Sequence, residues 1–493
     1  MKKTNKIIIV SILIILLLGG VFAYAYIATD LLKSNKEMFF KGFSKIVDKD
    51  EGIINKNLEE YFKKKSSESY QNKGNIKFNY IDNTGTSTTE SKIIDKLNEL
   101  TIDFQGISNK EKNITNEDIT IDYGNNVTFP IKYVQDNELY GIQTKYIGSK
   151  YISVINNNLK QVALKLGIDT TFIPDRIEFT DKKERIKFTD EEIANIKNTY
   201  GSIIKQGLTK NNFSKTTNSN GGKNYILTIS GEQLKNIMIN LLDAFKQDEN
   251  LIDRLNEDIN LTEINTSIQI TQQEINKLLT ELQEMDSSEF KELKIVIGYS
   301  KKSVNEFMIQ YDQMAIEVKK EKNSNIEKYL TILQINIPED QDSEKAISAV
   351  RLEFEADYKG LEELKDVSGE YMIRFKVIAN DDTYLQYQYN IINAVQFNNS
   401  ADVVELDSSN TFILNNVESN VLTNFLSKAS ERLKTVNKEQ MEQLGLEEDE
   451  NPLLYTNIVT YYVVETMKST QSIMENTMKQ YERMQEVEQQ YQY

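Results

Sequence analysis

Carboxylates are the most numerous reactive side chains in this sequence, which has 75 Asp and Glu residues but no His and no Cys. The absence of Cys excludes disulfides, thiolate metal sites, thiol catalysis and a cysteine-linked lipid anchor. The absence of His removes the commonest general base and transition-metal ligand. A carboxylate-dependent hydrolase needs only two acids about 5 to 10 Å apart. No spacing singles out such a pair, so the sequence favours a protein without enzymatic activity or cofactor.

One acidic segment has partial similarity to a calcium-binding loop. The stretch DKDEGIINKNLE sets Asp48, Asp50 and Glu59 at the first, third and twelfth positions of an EF-hand loop. That loop requires glycine at its sixth position, but Gly52 is at the fifth and Ile53 is at the sixth. We therefore expect a break between helices here and no metal site.

Aromatic side chains at alternate positions are the second candidate for function. The stretch ELYGIQTKYIGSKYISVINNN, residues 138–158, is rich in tyrosine. Its alternation predicts that Tyr140 and Tyr146 fall on one side of an extended chain, and that the pattern resumes at Tyr151 after a turn at Gly148 and Ser149. Similar alternation recurs in RLEFEADY and YMIRFKV. A partly covered face would form a groove for a hydrophobic ligand, whereas a covered face would be core. The groove candidates are Tyr140, Ile142, Tyr146, Phe354, Tyr371, Ile373 and Phe375.

The segments around these residues predict an α+β fold. Strict alternation, as in IKFNY, TIDFQ and DITIDY, predicts antiparallel strands with one buried and one solvated face. Amphipathic helices are the available cover for such one-sided sheets, which we expect to curl around them. We expect two loosely duplicated regions after an N-terminal transmembrane helix. The predicted boundaries are 1–28 for cytoplasmic lysines and anchor, 29–70 for a juxtamembrane helix, 71–215 and 222–415 for two sheet-plus-helix regions, and 416–493 for C-terminal helices.

The N-terminal residues predict the location of the protein. Lys2, Lys3 and Lys6 precede an uncharged run over residues 7–27, long enough to cross a hydrocarbon core of about 30 Å. Positive charge before the span predicts a cytoplasmic N-terminus, so the bulk of the chain is expected outside the cytoplasm. A cleaved signal peptide is the alternative, because Ala23 and Ala25 match a small-x-small cleavage pattern.

The charge of the chain restricts its partners. The formal net charge is -17, which disfavours binding to the phosphate backbone of nucleic acids. The expected partners are the membrane, through the N-terminal helix, and a hydrophobic ligand or an envelope protein.

Three segments carry a family resemblance: TDLLKSNKEMFFKGF, LYGIQTKYIGSKYISVINNNLKQVALKLGI and YILTISGEQLKNIMINLLDAF. Together they resemble an uncharacterised family of single-span exported proteins from low-GC Gram-positive bacteria, which supplies no catalytic motif. The order of strands and helices is also distantly similar to the half-barrels of lipoprotein carriers. From the N-terminal span, the lack of a catalytic constellation and the alternating aromatic residues, we expect a membrane-anchored, extracytoplasmic, non-enzymatic protein that binds a lipid-like ligand or an envelope partner. The alternatives are a protein-interaction scaffold or a carboxylate-dependent hydrolase.

The N-terminal prediction is tested by the intact mass of the protein from a membrane fraction. A retained anchor gives the mass of the full chain, 57.0 kDa. A mass lower by residues 1–25 would instead support the signal peptide.

Overall fold

The computed structural model describes residues 34–46, 53, 56–83, 88–124, 126–136, 138–157, 159–165, 176, 189–218, 221–261, 270–300, 303–323, 325–337, 347–379, 382–397, 402–447 and 451–452. The predicted span at residues 7–27 and most of the EF-hand-like segment lie outside these ranges. Among the described residues, no helix combines the length and apolarity needed to span a membrane.

The described chain is mixed α and β, and antiparallel sheet dominates it. Its helices are α1 (Asn35–Lys45), α2 (Lys56–Ser67), α3 (Thr88–Glu99), α4 (Leu159–Lys165), α5 (Asp190–Gly207), α6 (Gly231–Gln247), α7 (Glu249–Leu261), α8 (Gln272–Glu284) and α9 (Ser419–Leu444). Its strands are β1 (Tyr70–Asp82), β2 (Thr101–Asn109), β3 (Ile114–Asp122), β4 (Thr128–Gln135), β5 (Leu139–Gln143), β6 (Tyr151–Ile155), β7 (Phe213–Thr217), β8 (Lys223–Ile229), β9 (Leu293–Ser300), β10 (Ser303–Tyr311), β11 (Met314–Asn323), β12 (Ile326–Asn336), β13 (Ile347–Lys359), β14 (Asp366–Ala379), β15 (Asp382–Phe397) and β16 (Thr411–Ile413).

Contacts divide the chain into two compact units. The first unit comprises Met1–Ser66, Glu178–Ser343 and Ser348–Leu364, and the second comprises the remaining segments. This division differs from the contiguous regions expected from the sequence. The reason is long-range pairing: β15 pairs with β1 along 13 residues of each strand, so it belongs with residues some 300 positions earlier.

The first unit is a sheet with a helical layer on one face. Its strands follow the order β13-β12-β11-β10-β9-β8-β7. Helix α1 is central to its core, because Phe39, Phe40 and Phe43 are all 0% exposed. The Phe39 ring lies 5.6 Å from that of Phe213, and the Phe43 ring lies 5.8 Å from that of Phe307. Burial of each such ring stabilises the fold by about 1.5 to 3 kcal/mol.

Local sequence sets where several of these helices begin. Capping boxes start α1 at Ser34, α5 at Thr189 and α8 at Thr271, each with a glutamate three residues later. Ser230 caps α6 by accepting a hydrogen bond from the Gln233 backbone at 3.4 Å. Thr189 and Ser230 are thus N-caps of the residue types that favour this position.

The second unit is built on a sheet with the order β16-β6-β5-β4-β3-β2-β1-β15-β14. All its pairs are antiparallel except β16 with β6. Helix α3 interrupts the succession of strands in this unit, since it separates β1 from β2. Asn98 of α3 anchors that helix by exchanging two hydrogen bonds with the backbone of Tyr80, at 2.7 and 3.1 Å.

Two matched leucines in the helices of the second unit test its packing. Leu422 in α9 is 1% exposed and packs on Val162 and Leu414, whereas Leu164 in α4 is 64% exposed. We expect Leu422→Ala to lower the free energy of unfolding by about 2 to 5 kcal/mol, since it leaves a cavity. Leu164→Ala should change it by less than about 0.5 kcal/mol. Urea unfolding measures both, and equal effects would contradict this packing.

Candidate hydrophobic-ligand faces

Strand register collects the apolar side chains of the second unit on one face of its sheet. Residues directly opposite each other in an antiparallel pair point to the same face. Phe78 is opposite Tyr389, and Tyr389 is opposite Ile373, so the three share a face. We call it the second-unit apolar face; it includes Ile76, Phe78, Tyr80, Ile102, Phe104, Ile119, Phe129, Tyr133, Tyr140, Ile142, Tyr371, Ile373, Phe375, Tyr387 and Tyr389.

Aromatic rings form two rows across this face. The rings of Tyr80 and Tyr387 stack with centroids 4.6 Å apart, and Phe375 continues that row 6.4 Å from Tyr387. In the next row, Phe78 meets Tyr389 edge to face at 5.2 Å. Such cross-strand pairs each contribute about 0.5 to 1.5 kcal/mol beyond the burial of their area.

The other face of this sheet is polar at the same strands. Gln386 donates to Gln388 at 3.2 Å, and Gln388 donates to Asn390 at 2.8 Å, forming an amide ladder along β15. Arg374 and Lys376 of β14 point to the same side as this ladder. The predicted one-sided sheet is therefore confirmed for β14, β15 and β1.

Cover over the second-unit apolar face is uneven. Phe375 is 5% exposed and Tyr80 is 7% exposed, so the end of the face near α3 is core. Tyr371 and Ile373, on the same strand as Phe375, are only half-buried. Ile142 on β5 is 52% exposed. Five strands separate β5 from β14 in the sheet, so the candidates on these two strands share a face without being strand neighbours.

Tyr146 lies outside the strand that the sequence predicted for it. Strand β5 ends at Gln143, and Tyr146 belongs to the turn that follows. Its ring stacks on Phe129 at 5.1 Å, and its hydroxyl donates to the backbone oxygen of Thr128 at 3.2 Å. Gln440 of α9 donates to the same oxygen at 3.0 Å. Tyr146 therefore fastens this turn to the start of β4, and Gln440 fastens α9 to the same point.

Tyr151 points to the face opposite Tyr140. Tyr140 lies opposite Val154 of β6, so these two residues share a face. Tyr151 is three residues before Val154 on the same strand, so it points to the other face. Tyr151 is buried with Leu406, Ile114 and Val134 in a small core on the otherwise polar side. The continued tyrosine pattern in the sequence is thus split between two faces.

The first unit leaves part of its own apolar face exposed. Leu333 of β12 is opposite both Ile316 of β11 and Leu352 of β13, so the three form a row. Met314 and Phe354 lie on the same face in the adjacent rows. The exposed fractions are 39% for Met314, 45% for Ile316, 37% for Leu352 and 42% for Phe354. We call these residues, with Leu333, the first-unit patch.

The carboxylates of the first unit are mostly engaged with cations or hydroxyls. Glu327 is 3% exposed and accepts a hydrogen bond from the Tyr329 hydroxyl at 2.8 Å, with Lys320 at 3.6 Å. Burial raises the pKa of Glu306, an effect that Lys319 opposes and Glu317 reinforces. Among the described residues, no group of three or more acids is placed to hold a metal ion.

Sequence reasoning did not predict two polar residues that lie on the second-unit apolar face. Glu117 belongs to the same alternation as Ile119 and Ile121 in β3, and Asn72 belongs to that of Ile76 in β1. Extending each alternating run toward the N-terminus would have placed both residues on this face. Burial raises the pKa of Tyr133, directly opposite Glu117, to about 12, with Tyr140 and Glu117 adding to the shift.

Comparison with known proteins gives one family match. A model described as "Family of unknown function (DUF6583)" matches residues 1–472. No curated protein matches this sequence. Among solved structures, the crystal structure of Pseudomonas aeruginosa OpdQ is matched at 8% identity over 67% of this chain and 97% of that chain, with a TM-score of 0.11. A similarity this low carries no argument about fold or function.

Two of the candidate phenylalanines, Phe375 and Phe354, differ in burial, so substituting each tests which of them belongs to the core. Phe375→Ala should lower the free energy of unfolding by about 3 to 5 kcal/mol, because that ring is 5% exposed. Phe354→Ala should cost less than about 1 kcal/mol, because 42% of the residue is already exposed. Denaturant unfolding of both variants measures the difference. A large loss for Phe354→Ala would place that ring in the core.

Proposed function

The chain belongs to the DUF6583 family of unknown function, and we propose that it binds a lipid-like hydrophobic ligand along its apolar sheet faces without enzymatic activity. The first-unit patch is the observation that carries this proposal. Four large apolar side chains there, Met314, Ile316, Leu352 and Phe354, are each more than a third exposed, on the two strands β11 and β13 that flank β12.

A contiguous apolar patch is more informative than scattered exposed residues. Single exposed hydrophobic side chains are common on soluble surfaces, but adjacent ones mark sites of contact with an apolar partner. Covering such a surface stabilises it by about 25 cal/mol per Å². An acyl chain suits this patch because Leu333, Ile316 and Leu352 form a straight row across three strands. Ligand contact with this row would need few directional bonds.

The neighbouring polar face supports the same proposal. Lys328 pairs with Glu355, and Lys319 pairs with Glu317 at 2.7 Å, both on the side away from the patch. Charges concentrated on one side keep that side in water. On the patch side, Lys320 and Glu327 lie beyond the row of Phe354, so the rows of the patch itself are left for an apolar ligand.

We also propose a location for this activity. Residues 7–27 would anchor the chain in the cell membrane, with the bulk outside the cytoplasm of a Gram-positive bacterium. The support is the apolar run and the lysines before it, together with the sequence resemblance. The sheets would curl around their helices as in lipoprotein-carrier half-barrels, in two loosely duplicated regions. An envelope protein that covers the same faces is the alternative occupant, as expected of an interaction scaffold.

Lipid analysis of the purified full chain tests the ligand proposal. Mass spectrometry of an organic extract should detect lipid in stoichiometric amount. Ile316→Asp and Phe354→Asp should each reduce it several-fold, since a carboxylate on the patch disfavours apolar contact. Leu164→Asp is the matched control, because Leu164 is 64% exposed on α4, a helix of the second unit that contributes nothing to the patch. Extracts free of lipid would favour the scaffold.

A further inference from the structure

Three polar side chains interrupt the second-unit apolar face at its centre. Asn72 of β1 is opposite Gly106 of β2, and Gly106 is opposite Glu117 of β3. Asn72 and Glu117 therefore lie in one row, with Gly106 between them. Asn393 of β15 lies in the next row, opposite Gly74 of β1. Because opposite residues share a face, the three polar groups emerge among aromatic and aliphatic side chains.

This cluster presents oxygen acceptors. The Asn72 amide nitrogen donates to Glu117 at 3.2 Å, which leaves the Asn72 amide oxygen available as an acceptor. The Asn393 side-chain oxygen is buried and accepts no hydrogen bond within the described part of the chain. A buried amide oxygen without a donor destabilises the fold, because it has lost its hydrogen bonds to water and gained none in return. A ligand that carries N–H groups would remove that cost.

Glycines make room for the cluster. A Cβ on Gly106 would lie 2.7 Å from the Glu117 carboxyl carbon and 2.8 Å from the Asn72 side-chain oxygen. These two side chains can meet only because the residue between them has none. Around Asn393, the Phe104 ring lies over Gly74, and the Tyr371 ring lies over Gly369. The Asn393 side chain therefore lies between two aromatic rings, because Gly74 and Gly369 are both opposite Asn393, and such rings attract cations.

We propose that Asn72, Glu117 and Asn393 form a subsite for the ammonium headgroup of an amphiphile whose chain lies along the second-unit apolar face. The inference rests on the proposed ligand-binding function and adds its headgroup chemistry. The carboxylate supplies the opposite charge, and the two amide oxygens accept N–H groups. A carboxylate or phosphate headgroup would meet Glu117 with like charge. The net charge of -17 on the chain also favours a cationic ligand over an anionic one.

The test compares two amphiphiles of equal chain length. The full chain, kept in a non-ionic detergent, is titrated with decylammonium and with decanoate, and native mass spectrometry counts the bound molecules. Wild-type protein should bind decylammonium about tenfold more tightly than decanoate, as expected for one charge-assisted contact. In Glu117→Gln and Asn393→Leu, that ratio should fall below about threefold. In Asn390→Leu it should be unchanged, because Asn390 lies on the same strand but on the polar face.

Each outcome decides the inference. Equal binding of the two amphiphiles by wild-type protein, or a preference that survives in Glu117→Gln, overturns the ammonium subsite and leaves the proposed ligand-binding function standing. Binding of neither amphiphile overturns both. If thermal unfolding shows that Asn393→Leu does not fold, Glu117→Gln against Asn390→Leu decides the result.

Discussion

Strand register is the constraint on which the rest of this structure depends. Side chains alternate between the faces of a strand, so a shift of one residue moves every apolar group to the other side. In the pairing of β1 with β15, the observed register places Phe78 opposite Tyr389 and Asn79 opposite Gln388. A one-residue slip would set rings against amides along 13 residues of each strand. The aromatic rows, the amide ladder and the polar cluster all follow from this register.

A sheet with one apolar face must cover that face, and the two units do so differently. The first unit uses helices: α1 brings three phenylalanines onto β7 and β10, and Gly42 lets it approach so closely that a Cβ there would clash with Ile297. That cover does not extend to Ile316 and Phe354. The second unit buries one end of its face around Phe375 and leaves side chains such as Tyr371 half-buried. Both units therefore retain apolar area that an apolar ligand would stabilise.

Much of this architecture could be predicted from local patterns. Alternation predicted which residues of β14 share a face, because period two depends only on strand geometry. It did not predict α3, a short helix with Ile93, Ile94 and Leu97 as its apolar residues, which was hidden between two clear strands. It also continued one strand from Tyr140 to Tyr146, although β5 ends at Gln143 and Tyr146 belongs to the turn that follows. Neighbours in the chain carry no information about where a strand stops pairing.

The sequence by itself determined the one-sidedness of the strands, the starts of several helices and the absence of thiol and imidazole chemistry. These depend on residue type and short-range spacing. Only the tertiary structure decided that β15 joins β1, that Phe375 is core while Phe354 is exposed, and that Glu117 meets Asn72 above Gly106. Each of these depends on pairing between residues far apart in the chain. Such pairing is selected by the free energy of whole faces, which no single stretch of sequence contains.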